Sequence, residues 1–271
     1  MKKSILLFLT DLLPKKKRFM GKIIKNKLFD NNSTIEIITQ LIDSEIDGIE
    51  LLLPTFVTTE DIEEVKIITE KNNIKILSVH QALRFLTITR LSEIKKILEY
   101  AKILSAKVIV LHMNSAGNQL FDPKYIAAIH AFEVEYGIKI GFENREKYLG
   151  SVLNGYGWDE KKFGELMQKE DLHITFDICH MGQAGGNIIN FFKNNKDRII
   201  NVHLSDYKKH VLNSSLRPIR YKHLPLGKGT LPINELLQVM KQENYKGLVT
   251  LEINTNLNEL IESAKILKNA S

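Results

Sequence analysis

Residues 107–143 read KVIVLHMNSAGNQLFDPKYIAAIHAFEVEYGIKIGFE. The two short apolar runs in this stretch, Lys107–Leu111 and Ile138–Phe142, are rich in β-branched residues and are typical of strands buried on both faces. The amphipathic run Pro123–Tyr136 between them predicts a helix, and Gly137 follows it at the position where a left-handed turn is needed. Two strands joined through a helix are expected to be parallel.

The same alternation of strand and helix recurs along all 271 residues. The predicted strands are Ser4–Leu9, Gly48–Leu52, Ile74–Val79, Lys107–Leu111, Ile138–Phe142, His173–Phe176, Ile199–Leu204 and Leu248–Ile253. The predicted helices are Ser33–Ser44, Thr59–Lys71, Leu91–Leu104, Pro123–Tyr136, Asp159–Met167, Ile233–Glu243 and Leu257–Leu267. Repeated crossovers of this kind build either an open doubly wound sheet or a closed barrel.

The segment after the first strand favours the barrel. An open sheet usually carries a Gly-rich phosphate loop there, whereas this chain has Thr10-Asp11-Leu12-Leu13. We therefore expect an α/β fold, a single (β/α)8 TIM barrel domain that spans residues 1–271.

Composition places the chain among ordinary soluble proteins, with 44% hydrophobic and 26% charged residues. Its only cysteine is Cys179, which favours a reducing compartment, and we expect a cytoplasmic protein. No stretch is long and apolar enough to span a bilayer, so no membrane partner is expected. The net charge of +6 is concentrated between Lys15 and Lys27. That charge fits a solvated loop as well as attraction to an anionic substrate or nucleic acid.

Ionisable side chains stand at the ends of the last six predicted strands. They are His80, His112, Glu143, Asp177, His203 and Glu252. In a barrel these strand ends face one rim, where active sites are built. Burying such groups together is costly without a counter-charge, and a divalent cation removes that cost. A mixed set of carboxylate and imidazole ligands suits Mn²⁺, Mg²⁺, Co²⁺ or Zn²⁺.

Five motifs at these strand ends carry a resemblance to a known family. They are Gly141–Asn144, Phe176–His180, Val202–Asp206, His223–Gly229 and Gly247–Glu252. In their order and spacing the chain resembles the xylose isomerase-like TIM barrels, specifically the sugar phosphate isomerases/epimerases.

The resemblance implies one divalent metal ion, whose ligands would be Glu143, Asp177, His203 and Glu252. It also implies isomerisation or epimerisation of a small sugar or sugar phosphate through a metal-stabilised enediolate. Glu143 and Glu252 are the candidates for the catalytic acid and base.

The expected substrate-binding residues lie around this metal. They are His180, His80, His112, Arg145 and His223. His180 would contact a substrate hydroxyl or only orient Asp177, and Arg145 would meet an anionic group or form a surface ion pair. The glycines and Lys228 of His223–Gly229 fit a phosphate site or a tight loop, and the tight loop is favoured.

A second branch of the same superfamily gives the alternative function, that of a zinc-dependent apurinic endonuclease-like phosphodiesterase. Such enzymes hold three zinc ions, and His80, His112, His180 and His223 stand where some of the extra ligands would be. This chain has Tyr221 where that branch has an aspartate, and Asn144-Arg145-Glu146 replaces its Gly-rich stretch. The isomerase/epimerase is therefore favoured, with a small-molecule partner and no nucleic acid, and homo-oligomerisation is left open.

Overall fold

Eight parallel strands pair in chain order and the eighth pairs with the first, so that the sheet closes into a barrel. The computed structural model describes residues 1–13, 35–36, 38–41, 46–81, 89–113, 120–147, 156–209, 222–253 and 257–269. The strands are β1 (Lys2–Phe8), β2 (Gly48–Leu52), β3 (Ile76–His80), β4 (Val108–His112), β5 (Lys139–Glu143), β6 (His173–Asp177), β7 (Ile199–Leu204) and β8 (Leu248–Leu251). The predicted (β/α)8 barrel is confirmed.

Helices follow the strands on the outside of the barrel. They are α1 (Leu9–Leu12), α2 (Thr59–Lys71), α3 (Leu91–Ile103), α4 (Pro123–Tyr136), α5 (Glu160–Lys169), α6 (Ile178–Ala184), α7 (Ile188–Asn195), α8 (Ile233–Gln242) and α9 (Leu257–Asn269). Of the predicted helix Ser33–Ser44, only residues 35–36 and 38–41 are described, and these are helical. The basic segment Lys15–Lys27 lies outside the described residues.

Local signals in the sequence set the ends of several helices. Helix α4 begins after Asp122, whose carboxylate accepts the Lys124 amide, and Pro123 occupies its first turn. It ends at Gly137, which adopts a φ of 62° as expected. Asp177 closes β6 and also caps α6, because its Oδ1 accepts the amide of His180. One residue thus ends a strand, starts a helix and faces the rim.

The interior of the barrel changes from apolar to polar along its axis. At the amino-terminal end Leu77, Val108, Val110, Ile200 and Leu248 pack into a separate apolar cluster. Nearer the rim the buried interior residues are polar, namely Ser4, Glu50, Ser78, Thr175, Asn201 and Thr250. The interior of such a barrel is usually filled with branched aliphatic side chains. The polar layer is therefore unusual and indicates a specific role.

Hydrogen bonds join most of this polar layer across the barrel. Ser4 and Thr250 share a hydrogen bond of 2.7 Å between their hydroxyl oxygens. The Thr250 hydroxyl donates to Asn201 Oδ1 at 3.0 Å. The Asn201 amide in turn donates to Glu50 Oε2 at 2.8 Å. A chain of hydrogen bonds therefore connects β1, through β8 and β7, to a buried carboxylate on β2.

Within the described ranges, no helix is long and apolar enough to cross a membrane.

The packing of the outer helices predicts contrasting effects for two phenylalanines. Phe192 of α7 is fully buried, with its ring edge-on to Tyr245 at 5.5 Å, whereas Phe56 is 81% exposed. We expect Phe192→Ala to lower the free energy of unfolding by about 3–5 kcal/mol, since it leaves a cavity. The control Phe56→Ala should change it by no more than about 0.5 kcal/mol. Urea denaturation measures both, and equal losses would contradict the packing described here.

Candidate metal centre

The strand ends bring the predicted residues to one rim of the barrel. His80, His112, Glu143 and Asp177 are the last residues of β3, β4, β5 and β6. His203 is the penultimate residue of β7, and Glu252 directly follows β8. Sheet register places His112 beside Glu143 and Asp177 beside His203. Residues separated by more than half of the chain therefore surround one space.

Four of these side chains form a set with the spacing of metal ligands. Glu143, Asp177, His203 and Glu252 each offer one atom within 4.8 Å of the others. His203 Nδ1 lies 2.8 Å from Glu143 Oε1 and 2.7 Å from Glu252 Oε2. A divalent ion bound at about 2.0–2.6 Å holds its ligands at separations of this size.

One buried carboxylate oxygen of Asp177 has no hydrogen-bond partner among the described residues, as expected if a cation binds there. Its Oδ2 is buried and makes no hydrogen bond within the described part of the chain. The nearest nitrogen, His180 Nδ1, is 3.2 Å away and is already 3.0 Å from the carbonyl oxygen of Asn144. Buried polar atoms are rarely left without a partner. The residues present therefore fit a divalent cation with oxygen and nitrogen ligands.

The pKa values of the carboxylates depend on which imidazoles lie beside them. Burial raises the pKa of Asp177, and the nearby His180 and His223 only partly oppose this rise. Burial acts on Glu143 in the same direction, but the hydrogen bond with His203 and the nearby His80 lower its pKa well below the usual value. The pKa of Glu252 is likewise lowered against burial by the charges of His223 and His203.

His203 balances these negative charges in the absence of metal. Burial lowers its pKa, but Glu50, Glu252 and Glu143 together raise it well above 6.5. A proton on His203 thus occupies the place that a cation would take. Binding of a divalent ion requires this imidazole to be neutral, so metal and proton compete.

Two further histidines contact the outer oxygen of Glu143. His112 Nε2 lies 3.4 Å and His80 Nε2 3.8 Å from Glu143 Oε2, and their rings meet edge-on at 4.7 Å. Burial lowers the pKa of His112 to about 3, so its ring is neutral at physiological pH. Glu143 Oε1, which lies beside His203, is therefore a different oxygen from Oε2, which faces these two histidines.

His180 and His223 line the opposite side of the centre. Their rings meet edge-on at 5.4 Å, and both side chains are partly exposed. His223 Nδ1 is 3.2 Å from Ser205 Oγ and 4.0 Å from Glu252 Oε1. His223 also has a φ of 49°, a left-handed conformation that is uncommon for a non-glycine residue and is enriched at functional sites.

Arg145 lies at the mouth of the site with a lysine that the sequence analysis did not single out. Its backbone amide donates to the Gly157 carbonyl oxygen at 2.7 Å, which fixes the chain beyond β5. Lys222 forms an ion pair with Glu146. Burial and the charge of Arg145 lower the pKa of Lys222 to about 8. The mouth therefore carries two cationic side chains near each other.

The loop after His223 is a tight turn held by Asp206. The Asp206 carboxylate accepts the amides of Tyr207, Gly227, Gly229 and Leu231. A Cβ at Gly229 would lie 2.2 Å from Asp206 Oδ1, so this position requires glycine. The glycine amides are thus already used, and the phosphate-binding interpretation of this segment is wrong.

The sequence analysis did not predict the roles of two residues that contact the candidate ligands. Asn144 ties β5 to β6, since its Oδ1 accepts the Asp177 amide and its Nδ2 donates to the Asp177 carbonyl oxygen. Glu50 is fully buried, with Oε1 2.8 Å from His203 Nε2. A lone carboxylate inside the apolar run Gly48–Leu52 was the available signal.

A family model described as xylose isomerase-like TIM barrel matches residues 38–270. The chain belongs to this family. It is 28% identical over 205 residues to the uncharacterised protein MJ1311 of Methanocaldococcus jannaschii, a match that covers 70% of this chain and 64% of that relative.

Solved structures share the xylose isomerase-like barrel. A D-tagatose 3-epimerase-like protein aligns with a TM-score of 0.69 and 22% identity, over 100% of this chain and 97% of its own. The 3-keto-D-glucoside 4-epimerase YcjR from E. coli aligns with a TM-score of 0.67 and 16% identity, over 99% of each chain. At these identities the alignments establish a common fold.

The ligand geometry predicts that one aspartate governs metal affinity. We expect Asp177→Asn to weaken Mn²⁺ binding at least about tenfold, because an amide oxygen lacks the charge of a carboxylate. Isothermal titration calorimetry measures the affinity. Asp159→Asn is the matched control, since Asp159 only caps α5. Equal affinities for the two variants would show that Asp177 is not a ligand.

The raised pKa of His203 predicts that metal binding depends on pH. Because the proton on His203 competes with the metal, apparent Mn²⁺ affinity should fall as the pH is lowered below this raised pKa, and binding should release protons. Titrations in buffers of different ionisation enthalpy count the released protons. A constant affinity with no proton release would contradict the competition described here.

Proposed function

We propose that this chain is a divalent-metal-dependent isomerase or epimerase acting on a small sugar or sugar phosphate. The observation that carries the proposal is the approach of two carboxylates to one imidazole nitrogen, with Glu143 Oε1 2.8 Å and Glu252 Oε2 2.7 Å from His203 Nδ1. Two proteins with a similar barrel, the D-tagatose 3-epimerase-like protein and the 3-keto-D-glucoside 4-epimerase, support the same class of reaction.

Isomerisation of a sugar moves a proton on the carbon next to a carbonyl group. The reaction needs one group to remove the proton and another to return it. Glu143 and Glu252 supply two carboxylates at one imidazole nitrogen, and in this proposal each serves one face of a planar enediolate. Return of the proton to the opposite face inverts the carbon, and this arrangement therefore favours epimerisation.

Each of the two carboxylates has one oxygen directed away from the other ligands. Glu143 Oε2 faces His112 and His80, and Glu252 Oε1 faces His223 at 4.0 Å. A carboxylate can thus hold a cation through one oxygen and accept a proton through the other. When bound, a divalent cation supplies positive charge that offsets the negative charge developing on substrate oxygen.

The side chains at the mouth are suited to binding the rest of the substrate. His180 and His223 are 16% and 21% exposed, so their ring nitrogens can reach sugar hydroxyl groups. His80 and His112 are almost fully buried and act on the substrate through Glu143. Arg145, whose charge acts on His112 and Lys222, is the proposed contact for an anionic group of the substrate, such as a phosphate. Lys222 is already paired with Glu146.

Two overlapping clusters keep phosphodiester hydrolysis as the second candidate function. His80, His112 and Glu143 form one metal-sized set, and Asp177, His180 and His223 form another. The first set shares Glu143, and the second shares Asp177, with the four proposed ligands of the central ion. Shared carboxylates of this kind are expected where several metal ions are adjacent. Tyr221, which stands where a further carboxylate ligand is expected, lies outside the described residues.

The isomerase proposal is tested by hydrogen exchange. Mn²⁺-loaded protein is incubated in D₂O with ketoses and ketose phosphates, and NMR detects deuterium at the carbon next to the carbonyl together with the epimeric product. We expect exchange with one member of the panel. Glu143→Gln and Glu252→Gln should each lower the rate by about 100-fold or more, since each removes an acid or base.

The matched control is Glu165→Gln, which alters an exposed residue paired with Lys161 on α5 and should leave the rate unchanged. Near-normal activity in either active-site variant would exclude that residue as the base. If no ketose exchanges while the protein binds three ions per chain and nicks abasic duplex DNA, the phosphodiesterase is the correct function.

A further inference from the structure

We propose that Glu50 is a positioning residue of the metal centre, whose carboxylate holds the His203 ring with Nδ1 towards Glu143 and Glu252. The inference rests on the proposed metal-dependent function. It concerns a residue in the middle of β2, below the ring of strand-end ligands.

Both ring nitrogens of His203 contact carboxylates. Nδ1 faces Glu143 and Glu252, while Nε2 is 2.8 Å from Glu50 Oε1. Both His203 and Glu50 are fully buried, so water cannot replace either partner. A metal-binding histidine commonly uses its second nitrogen to contact a carboxylate, which fixes the tautomer and the ring orientation. Glu50 occupies that position here.

The surroundings of Glu50 are arranged for an ionised carboxylate. Ser78 Oγ donates to Glu50 Oε2 at 2.5 Å and Asn201 Nδ2 donates to the same oxygen at 2.8 Å. Both donors use Oε2, so the second oxygen, Oε1, is available to contact His203. A buried carboxylate without such donors would be strongly destabilising.

The orientation of the Asn201 amide is itself fixed. Its Oδ1 accepts the Thr250 hydroxyl at 3.0 Å, so Nδ2 must face Glu50. Thr250 in turn shares a hydrogen bond with Ser4. Side chains from β1, β3, β7 and β8 therefore cooperate to hold the carboxylate of β2 under His203, which explains the polar layer inside the barrel.

This arrangement has a direct consequence for metal affinity. A proton held on Nε2 towards Glu50 leaves the lone pair of Nδ1 for the metal, and the negative charge of Glu50 makes that nitrogen a stronger ligand. Without the charge, either nitrogen of His203 can carry the proton. Part of the population then presents an N–H to the metal position, and binding weakens.

The test measures binding of Mn²⁺ alone, with no substrate present. Glu50→Gln keeps the size of the side chain but removes its charge, and we expect about 10- to 100-fold weaker binding by calorimetry. Glu50→Asp is one methylene shorter and should not restore affinity. In the Co²⁺-loaded protein, Glu50→Gln should shift the visible absorption bands, since the ligand field of His203 changes.

Asp61→Asn is the matched control. Asp61 is also a buried carboxylate, 3% exposed, but it caps α2 away from the centre, so its variant should bind Mn²⁺ with unchanged affinity. If Glu50→Gln does not fold, Ser78→Ala tests the same point by removing one donor to Glu50, and it should also weaken binding. Wild-type affinity and spectrum in the folded Glu50→Gln protein, or wild-type affinity in Ser78→Ala, would overturn the inference. Failure of the wild-type chain to bind Mn²⁺ would instead overturn the proposed function.

Discussion

Attraction between one imidazole and the carboxylates around it is the interaction on which the rim of this barrel depends. Glu50, Glu143 and Glu252 all approach His203 within 2.8 Å, in a region where burial by itself favours neutral carboxyl groups. Positive charge at this point is therefore a structural requirement as well as a chemical one. A proton on His203, whose pKa is raised, supplies it in the free protein. Under the proposed function a divalent cation would supply more of it.

The sequence was sufficient to predict the barrel and the ring of strand ends, because both follow from simple geometry. Buried parallel strands must be apolar, and their carboxyl ends must meet at one rim. Glu50 was missed because a carboxylate in mid-strand has no such positional rule, and its partner Asn201 is 151 residues away. Helices α6 and α7 were also missed, since they are only 7 and 8 residues long.

The loop after His223 shows a second limit of sequence reasoning. The glycines and lysine of His223–Gly229 fit both an anion site and a tight turn. The sequence favours the turn, and the partners of the backbone amides decide between the two. The amides of Gly227 and Gly229 donate to the carboxylate of Asp206, which lies about twenty residues earlier in the chain. The carboxylate serves as an internal substitute for an external anion, so the loop that follows His223 is ordered by the protein itself.

The apolar cluster of Leu77, Val108, Val110, Ile200 and Leu248 closes the barrel below the polar layer. Glu50 therefore lies between this apolar cluster and the charged rim, and its side chain is fully buried. Charges buried in this way are screened little by dissolved ions. Under the proposed function, the support that Glu50 gives to His203 would thus be insensitive to the salt concentration outside.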